Sequence, residues 1–316
     1  MRKKCLKVYV RCGRVVLLTV ITLLILRGMP FGEEKSQPKK IPPECAKCCE
    51  VMKPEPGMSA NDLMRIKYYV KYTKFARDVS FDTVKNLLID KGGFTREKDA
   101  QRFRIILNRA SDDLDYKDMI TLTAPQNVKG LSVLTWSYLD PKKDQDIWLW
   151  LPSLRKVRRV SQSEADDAAF GSDFTQEEMT SRRFEDETYE YIGEKKFEGF
   201  KSPQTGKTYY AGQDCYVVEA KPIRKNWYYS KRVIYLHKEF GGKIFDEVYD
   251  PTGRKYKVIL VVYEYLPDTK CIPQVRLECH NLINGHSTAT DVGGIKFNNG
   301  LDENIFTEKY LMRVKW

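Results

Sequence analysis

Gln274-Val275-Arg276-Leu277-Glu278-Cys279-His280 alternates strictly between apolar and polar side chains. In an extended chain successive side chains point to opposite faces, so Val275, Leu277 and Cys279 share one face and Arg276, Glu278 and His280 the other. The segment reads as a half-buried strand. Similar β-rich stretches recur at 103–107, 119–123, 131–139, 147–151, 189–192, 216–220, 232–237, 243–249 and 257–265. Turn formers stand between them, among them Ala124-Pro125, Asp140-Pro141, Gly241-Gly242, Asp250-Pro251-Thr252-Gly253 and Asn284-Gly285. Strands joined by short hairpins, with no helical pattern between them, predict an antiparallel meander rather than βαβ units. The chain is therefore mainly β (α+β), built on one large curved antiparallel sheet. Asn284-Gly285 predicts a type I′ hairpin, since that turn needs positive φ at both central residues.

Towards the N-terminus the pattern changes. Ser59, three residues before Asp62, makes a capping box, and apolar residues at Leu63, Ile66, Val70 and Phe75 predict an amphipathic helix from 59 to about 79. Residues 33–58 hold Pro38, Pro42, Pro43, Pro54 and Pro56 and read as a Pro/Cys-rich linker. Residues 1–32 have a cationic start, an apolar run at 15–26 and a turn-prone Gly28-Met29-Pro30-Phe31-Gly32. That is the layout of an export signal, and the run is short for a membrane span of about 20 residues. An uncleaved N-terminal anchor is the alternative. The folded part is then 59–316.

The formal net charge of +11 suggests nucleic acid until it is located. Arg2, Lys3, Lys4, Lys7, Arg11, Arg14 and Arg27 all lie in the leader, which has no acidic residue. No zinc finger, RNA-recognition signature or basic helix appears in the remainder, so a nucleic-acid partner is not expected.

Catalytic chemistry has little to work with. The three histidines, His237, His280 and His286, form no H-x-x-x-H or H-E-x-x-H pattern, and P-loop, dinucleotide and G-x-S-x-G signatures are absent. The expectation is a protein that is not an enzyme and needs no cofactor or metal. Cys45-Ala46-Lys47-Cys48-Cys49 could bind zinc or form a disulfide, and in an oxidising compartment the disulfide is the simpler reading. A bridge from Cys215 to Cys271 or to Cys279 is conceivable, and the sequence does not choose between them. Residues 147–160, IWLWLPSLRKVRRV, put apolar side chains on both faces of one strand and then four cations among six residues. Such a surface suits an anionic headgroup or a membrane partner.

Several blocks together carry a family resemblance: Trp148-Leu149-Trp150-Leu151-Pro152-Ser153-Leu154-Arg155-Lys156-Val157-Arg158-Arg159, Gly171-Ser172-Asp173-Phe174-Thr175, Cys215-Tyr216-Val217-Val218-Glu219-Ala220, and Asp302-Glu303-Asn304-Ile305-Phe306-Thr307. From about residue 80 to 316 the chain resembles the outer membrane lipoprotein-sorting protein family with its LolA-like fold. The resemblance implies an incomplete antiparallel barrel with helices packed on its concave face and an apolar cavity between them that shelters acyl chains. It implies a periplasmic carrier of lipoprotein or another lipid between inner and outer membrane, working with a transporter of the resistance-nodulation-division (RND) type. An envelope sensor or transporter accessory of the same fold is the alternative. On this analogy Trp136, Trp148 and Trp150 are expected in or near the cavity, and Arg155, Arg158 and Arg159 at a headgroup or partner. Ordinary core packing is the competing expectation for the tryptophans. Gly171-Ser172-Asp173-Phe174 reads as a turn into a short helix capped by Ser172 or Asp173.

Overall fold

A computed structural model describes residues 53–161, 164–267 and 271–313. The leader, most of the linker and the Cys45–Cys49 motif lie outside the described residues. Helix α1 (Ala60–Lys71) starts where expected: the Ser59 hydroxyl accepts from the Asp62 amide, and the Asp62 carboxylate accepts in return from the Ser59 amide. It stops eight residues earlier than the periodicity suggests. Thr73 turns into the left-handed region at φ 54°, and Val79, counted above as the helix end, lies inside the first strand.

Fifteen strands follow: β1 (Asp78–Ile89), β2 (Thr95–Arg109), β3 (Leu114–Ala124), β4 (Ser132–Tyr138), β5 (Asp146–Leu151), β6 (Lys156–Val160), β7 (Glu187–Phe197), β8 (Phe200–Lys201), β9 (Thr208–Tyr209), β10 (Gln213–Pro222), β11 (Lys231–His237), β12 (Lys243–Tyr249), β13 (Lys255–Tyr263), β14 (Gln274–Asn281) and β15 (Ser287–Phe297). Helix α2 (Glu308–Arg313) comes last. Thirteen strands form one antiparallel sheet in the order β6-β5-β4-β3-β2-β1-β15-β14-β13-β12-β11-β10-β7, and β8 pairs with β9. Edge strands β6 and β7 do not pair, so the curved sheet remains an open barrel. All ten strands expected from sequence are present.

This topology explains where the rest of the chain goes. β1 to β6 wind outward to one edge, and β10 to β15 wind back from the other edge until β15 meets β1. The only connection between non-neighbouring strands of the large sheet among the described residues runs from β6 to β7, from one edge to the other. It has to cross a face of the sheet, and residues 164–186 do so beside α1. Phe170 packs with Val79, Phe81, Ala100 and Ile120, and Phe174 with Ile259, Val261 and Cys279. We call the face covered by α1 and 164–186 the inner face. The opposite, outer face is closed by the β8–β9 hairpin at one end and by residues 301–313 at the other.

Three local expectations change. The faces of β14 are assigned correctly, but both are buried: Glu278 and His280 point outward and are covered by the β8–β9 region, where the Ser202 hydroxyl donates to Glu278 at 2.8 Å. The Asn284-Gly285 hairpin exists but is not type I′, because only Gly285 has positive φ. The loop is longer, and the Asn281 side chain holds it by accepting from the amides of Ile283 and Asn284. The turn at Gly171–Thr175 does lead into a helical turn, yet Thr175 supplies the cap by accepting from the Glu178 amide at 3.2 Å, while Asp173 bonds Thr288 on β15.

Gly241, in the turn between β11 and β12, sets how closely α1 approaches the sheet. Its φ is 68°, and a Cβ there would stand 2.3 Å from Cγ2 of Ile66 on α1. Gly241→Ala should therefore cost about 2 kcal/mol, from overpacking and from a left-handed non-glycine residue. Urea unfolding checks this, and a loss below about 0.5 kcal/mol would contradict it.

Candidate ligand cleft beneath the first helix

Between the inner face and its roof lie three adjoining cavities. The central one is about 70 Å³ and is lined by Val70 and Lys71 of α1, Phe81 and Val84 of β1, Met179 and Leu277. It shares Val84, Arg102 and Met179 with a cavity of about 30 Å³ on one side. On the other side a second cavity of about 30 Å³ shares Lys71, Glu178, Gln274 and Leu277 with it. The three are segments of one cleft. One end is apolar, with Leu88, Ala100, Ile120, Leu122 and Phe170. The other is cationic, with Lys67, Arg182, Arg232 and Lys243.

The size is informative. About 70 Å³ accommodates roughly five waters, far less than the ~300–1,000 Å³ of ordinary ligand sites. The part of the cleft's roof formed by α1 is a single helix rather than a strand of the sheet.

Buried charges organise the cationic end. Arg232, fully buried, binds Glu187 through two nitrogens at 2.8 and 2.7 Å and also pairs with Asp246, which in turn takes Lys243 at 2.9 Å. Arg182 pairs with Glu177 and donates to the Tyr228 hydroxyl at 2.6 Å, and Lys257 pairs with Glu178 at 2.9 Å. Burial by itself would raise the Glu187 carboxyl; Arg232 and then Arg182 more than reverse this and hold it well below the usual range. Asp246 is lowered in the same way. Arg102 and Arg104 share the single carboxylate of Asp118, at 3.1 and 2.5 Å.

Lys67 and Lys71 differ from these. They stand one turn apart on the buried side of α1, and among the described residues neither has a carboxylate within salt-bridge distance. The Lys67 ammonium sits 3.5 Å from the centre of the Tyr68 ring, and that of Lys71 donates to the Tyr72 hydroxyl at 3.2 Å. Burial, reinforced by neighbouring cations, pushes both well below the ordinary lysine range.

The architecture matches known folds. A domain from Vibrio parahaemolyticus described as an outer membrane lipoprotein-sorting protein is 24% identical, with a TM-score of 0.66 over 80% of this chain and 98% of that one. A DUF1329 family protein from Desulfovibrio piger is 21% identical, with a TM-score of 0.67 over 80% and 97%. A LolA superfamily protein from Nitrosomonas europaea is 16% identical, with a TM-score of 0.57 over 80% and 100%. No curated protein matches the chain. A family model, described as that of an uncharacterized protein, matches residues 115–313. The chain belongs to this family, which has the LolA-like fold of outer membrane lipoprotein-sorting proteins.

In this LolA-like chain the tryptophans lie away from the cleft. Trp148 and Trp150 point from β5 to the outer face, where they meet Met119, Leu134, Phe306 and Leu311. Trp136 joins them, its ring 5.1 Å from that of Trp148 and its indole N–H donating to the Phe306 carbonyl at 2.9 Å. Their arrangement is that of core residues beneath the C-terminal segment. Arg155, Arg158 and Arg159 are exposed at the β6 edge of the sheet. Arg158 pairs with Glu164 and Arg159 with Asp146, on opposite faces, so the acidic stretch after β6 has a partner in the basic strand before it.

The remaining candidates are structural where they are described. His237 is buried against Phe240, and burial lowers its imidazole to about 4. His280 contacts Glu278 at 3.0 Å. Cys215 and Cys279 are free and buried, and burial pushes the Cys215 thiol up to about 12. Cys271 is disulfide-bonded, so neither bridge considered from sequence forms. Among the described residues no group of three His, Cys, Asp or Glu could hold a metal, and no helix is long and apolar enough to cross a membrane.

Sequence reasoning missed the cleft residues. Lys67 continues the i, i+4 row from Leu63, so two lysines, at 67 and 71, occupy the apolar side of a predicted amphipathic helix. That was the available signal.

Proposed function

We propose that this protein is a non-catalytic periplasmic carrier that shelters lipoprotein acyl chains, or those of another lipid, in the cleft beneath α1 and transfers them between inner and outer membrane. The observation behind this reading is the cleft itself: an apolar floor of Leu88, Ala100, Ile120 and Leu122 on a rigid sheet, under a roof made of one helix and one irregular segment. Burying a CH₂ group is worth about 0.8 kcal/mol, so a carrier needs a dry concave surface and a way out rather than a reacting group. The exposed Arg155, Arg158 and Arg159 at the β6 edge are the surface we assign to an RND-type inner-membrane transporter or to headgroups. The tryptophans are left to the outer core.

Protein secreted to the periplasm and extracted with solvent should yield a bound acylated molecule, and the stripped protein should bind a fluorescent diacyl lipopeptide. Ala100→Trp, which fills the apolar end, should weaken that binding at least tenfold. Empty protein together with no lipopeptide binding would sink the carrier reading.

A further inference from the structure

Around the inner end of the cleft six cations, Lys67, Lys71, Arg182, Arg232, Lys243 and Lys257, meet four carboxylates, Glu177, Glu178, Glu187 and Asp246. Arg182, Arg232, Lys243 and Lys257 take those carboxylates. Lys67 and Lys71 are left over, although Lys67 is only 2% exposed and both line the cleft. A second shortage lies next to them, since Arg102 and Arg104, which line the central cavity, have only Asp118.

A cation without a carboxylate in contact is costly when withdrawn from water, more so for the buried Lys67 than for the half-buried Lys71, and like charges one helical turn apart add to the cost. A helix that needed only to cover an apolar floor would carry leucine or methionine at these positions. Its lysines gain a partner when an anion enters from the cleft, and the apolar floor begins within the same space at Val84 and Phe81. The one carboxylate lining this end, Glu178, has an oxygen without a hydrogen-bond partner among the described residues, while its other oxygen is held by Lys257 and the Thr175 amide. It does not neutralise Lys67 or Lys71.

We infer that the cleft selects an acidic amphiphile, with a carboxylate or phosphate monoester seated between Lys67 and Lys71 and its hydrocarbon chain running past Val84 towards Leu122. This rests on the carrier reading above and adds the chemistry of the headgroup. Diacyl lipopeptide would then be a fair ligand of the apolar end without being the best one.

The test compares three single-chain probes of equal acyl length, measured by displacement of a fluorescent fatty-acyl probe from the intact protein: oleate, lysophosphatidate carrying an oleoyl chain, and uncharged monoolein. One charge-assisted contact is worth about a tenfold change in affinity or more. At least one acid should bind about tenfold tighter than monoolein, and which acid wins tells carboxylate from phosphate. In the Lys67→Met, Lys71→Met double variant the ratio of acid to monoolein affinity should fall to about one. Equal binding of all three probes by the unmodified protein overturns the headgroup inference and leaves the carrier reading standing. Persistence of the preference in a folded double variant overturns the assignment to these lysines. No binding of any probe overturns both readings. The comparison on the unmodified protein decides the matter even if the double variant does not fold.

Discussion

Arg232→Ala is expected to lower the stability of the fold by about 3–5 kcal/mol at neutral pH, the largest effect of any single polar substitution considered. Arg232, Glu187 and Asp246 are all fully excluded from solvent, and Arg232 is the cation shared by both carboxylates. Removing it leaves Lys243 for Asp246, while Glu187 keeps the hydroxyls of Tyr68, Tyr229 and Tyr189, at 3.3, 2.7 and 3.5 Å, and the more distant attraction of Arg182, with no cation in contact among the described residues. Neutral donors do not compensate a buried charge. The pH dependence provides an independent check. In the unmodified protein both carboxyls are held below their unfolded values, so their contribution is complete above about pH 4.5 and is lost as pH falls through the lowered values. In the variant the Arg232 attraction is gone and burial raises the Glu187 carboxyl. Protonation then relieves the folded state, and the gap between variant and parent should narrow as pH falls from 7 towards 4. Urea titrations at several pH values measure both quantities. A deficit below about 1 kcal/mol, or one that widens in acid, contradicts the account.

Phe306→Ala should cost about 3–5 kcal/mol, the range for truncating a buried phenylalanine. Its ring is fully buried on the outer face between the two helical turns of the C-terminal segment, against Trp148, Trp150, Met119 and Leu134. Denaturant unfolding gives the loss. The variant also separates the two roles considered for the tryptophans. If they are core, tryptophan emission shifts to the red while the folded variant still binds lipopeptide and keeps its preference among single-chain probes. Loss of ligand with stability unchanged would return Trp136, Trp148 and Trp150 to the binding site.

The Trp148 to Arg159 block looked functional in sequence because it is both strongly apolar and strongly basic. Its two halves turn out to serve different surfaces. The tryptophans need a cover, and the cover is a segment some 150 residues further on, Leu301 to Arg313, which no local pattern connects to them. Arg158 and Arg159 likewise acquire Glu164 and Asp146 on opposite faces of an edge strand. The acidic run at 164–167 becomes intelligible once it begins the crossover from β6 to β7.

Alternation, β-rich composition and turn formers determined the expected strands. A side chain's alternation depends only on its own backbone, so β14 and the other expected strands could be read directly, as could the Ser59–Asp62 box that starts α1. Of the strands outside the expected stretches, β1 and β15 form the middle of the large sheet. β15 carries Ala289, Thr288, Thr290 and the pair Gly293-Gly294, small residues chosen by neighbours on both sides rather than by a hydrophobic rhythm; a Cβ on Gly294 would lie 2.6 Å from Cβ of Asp82. Length and turn type failed at Thr73, which turns into the left-handed region, and at Asn281, whose side chain reshapes its own loop. What tertiary structure alone decided is which face is the inside. That follows from one long connection crossing the sheet with α1 beside it, and from charges on α1, β7, β11–β13 and the crossover being brought together from sites far apart in the chain. Lys67 and Lys71 were visible as lysines on an apolar helix face. That they lack a carboxylate partner could be seen only once every neighbouring charge had been placed.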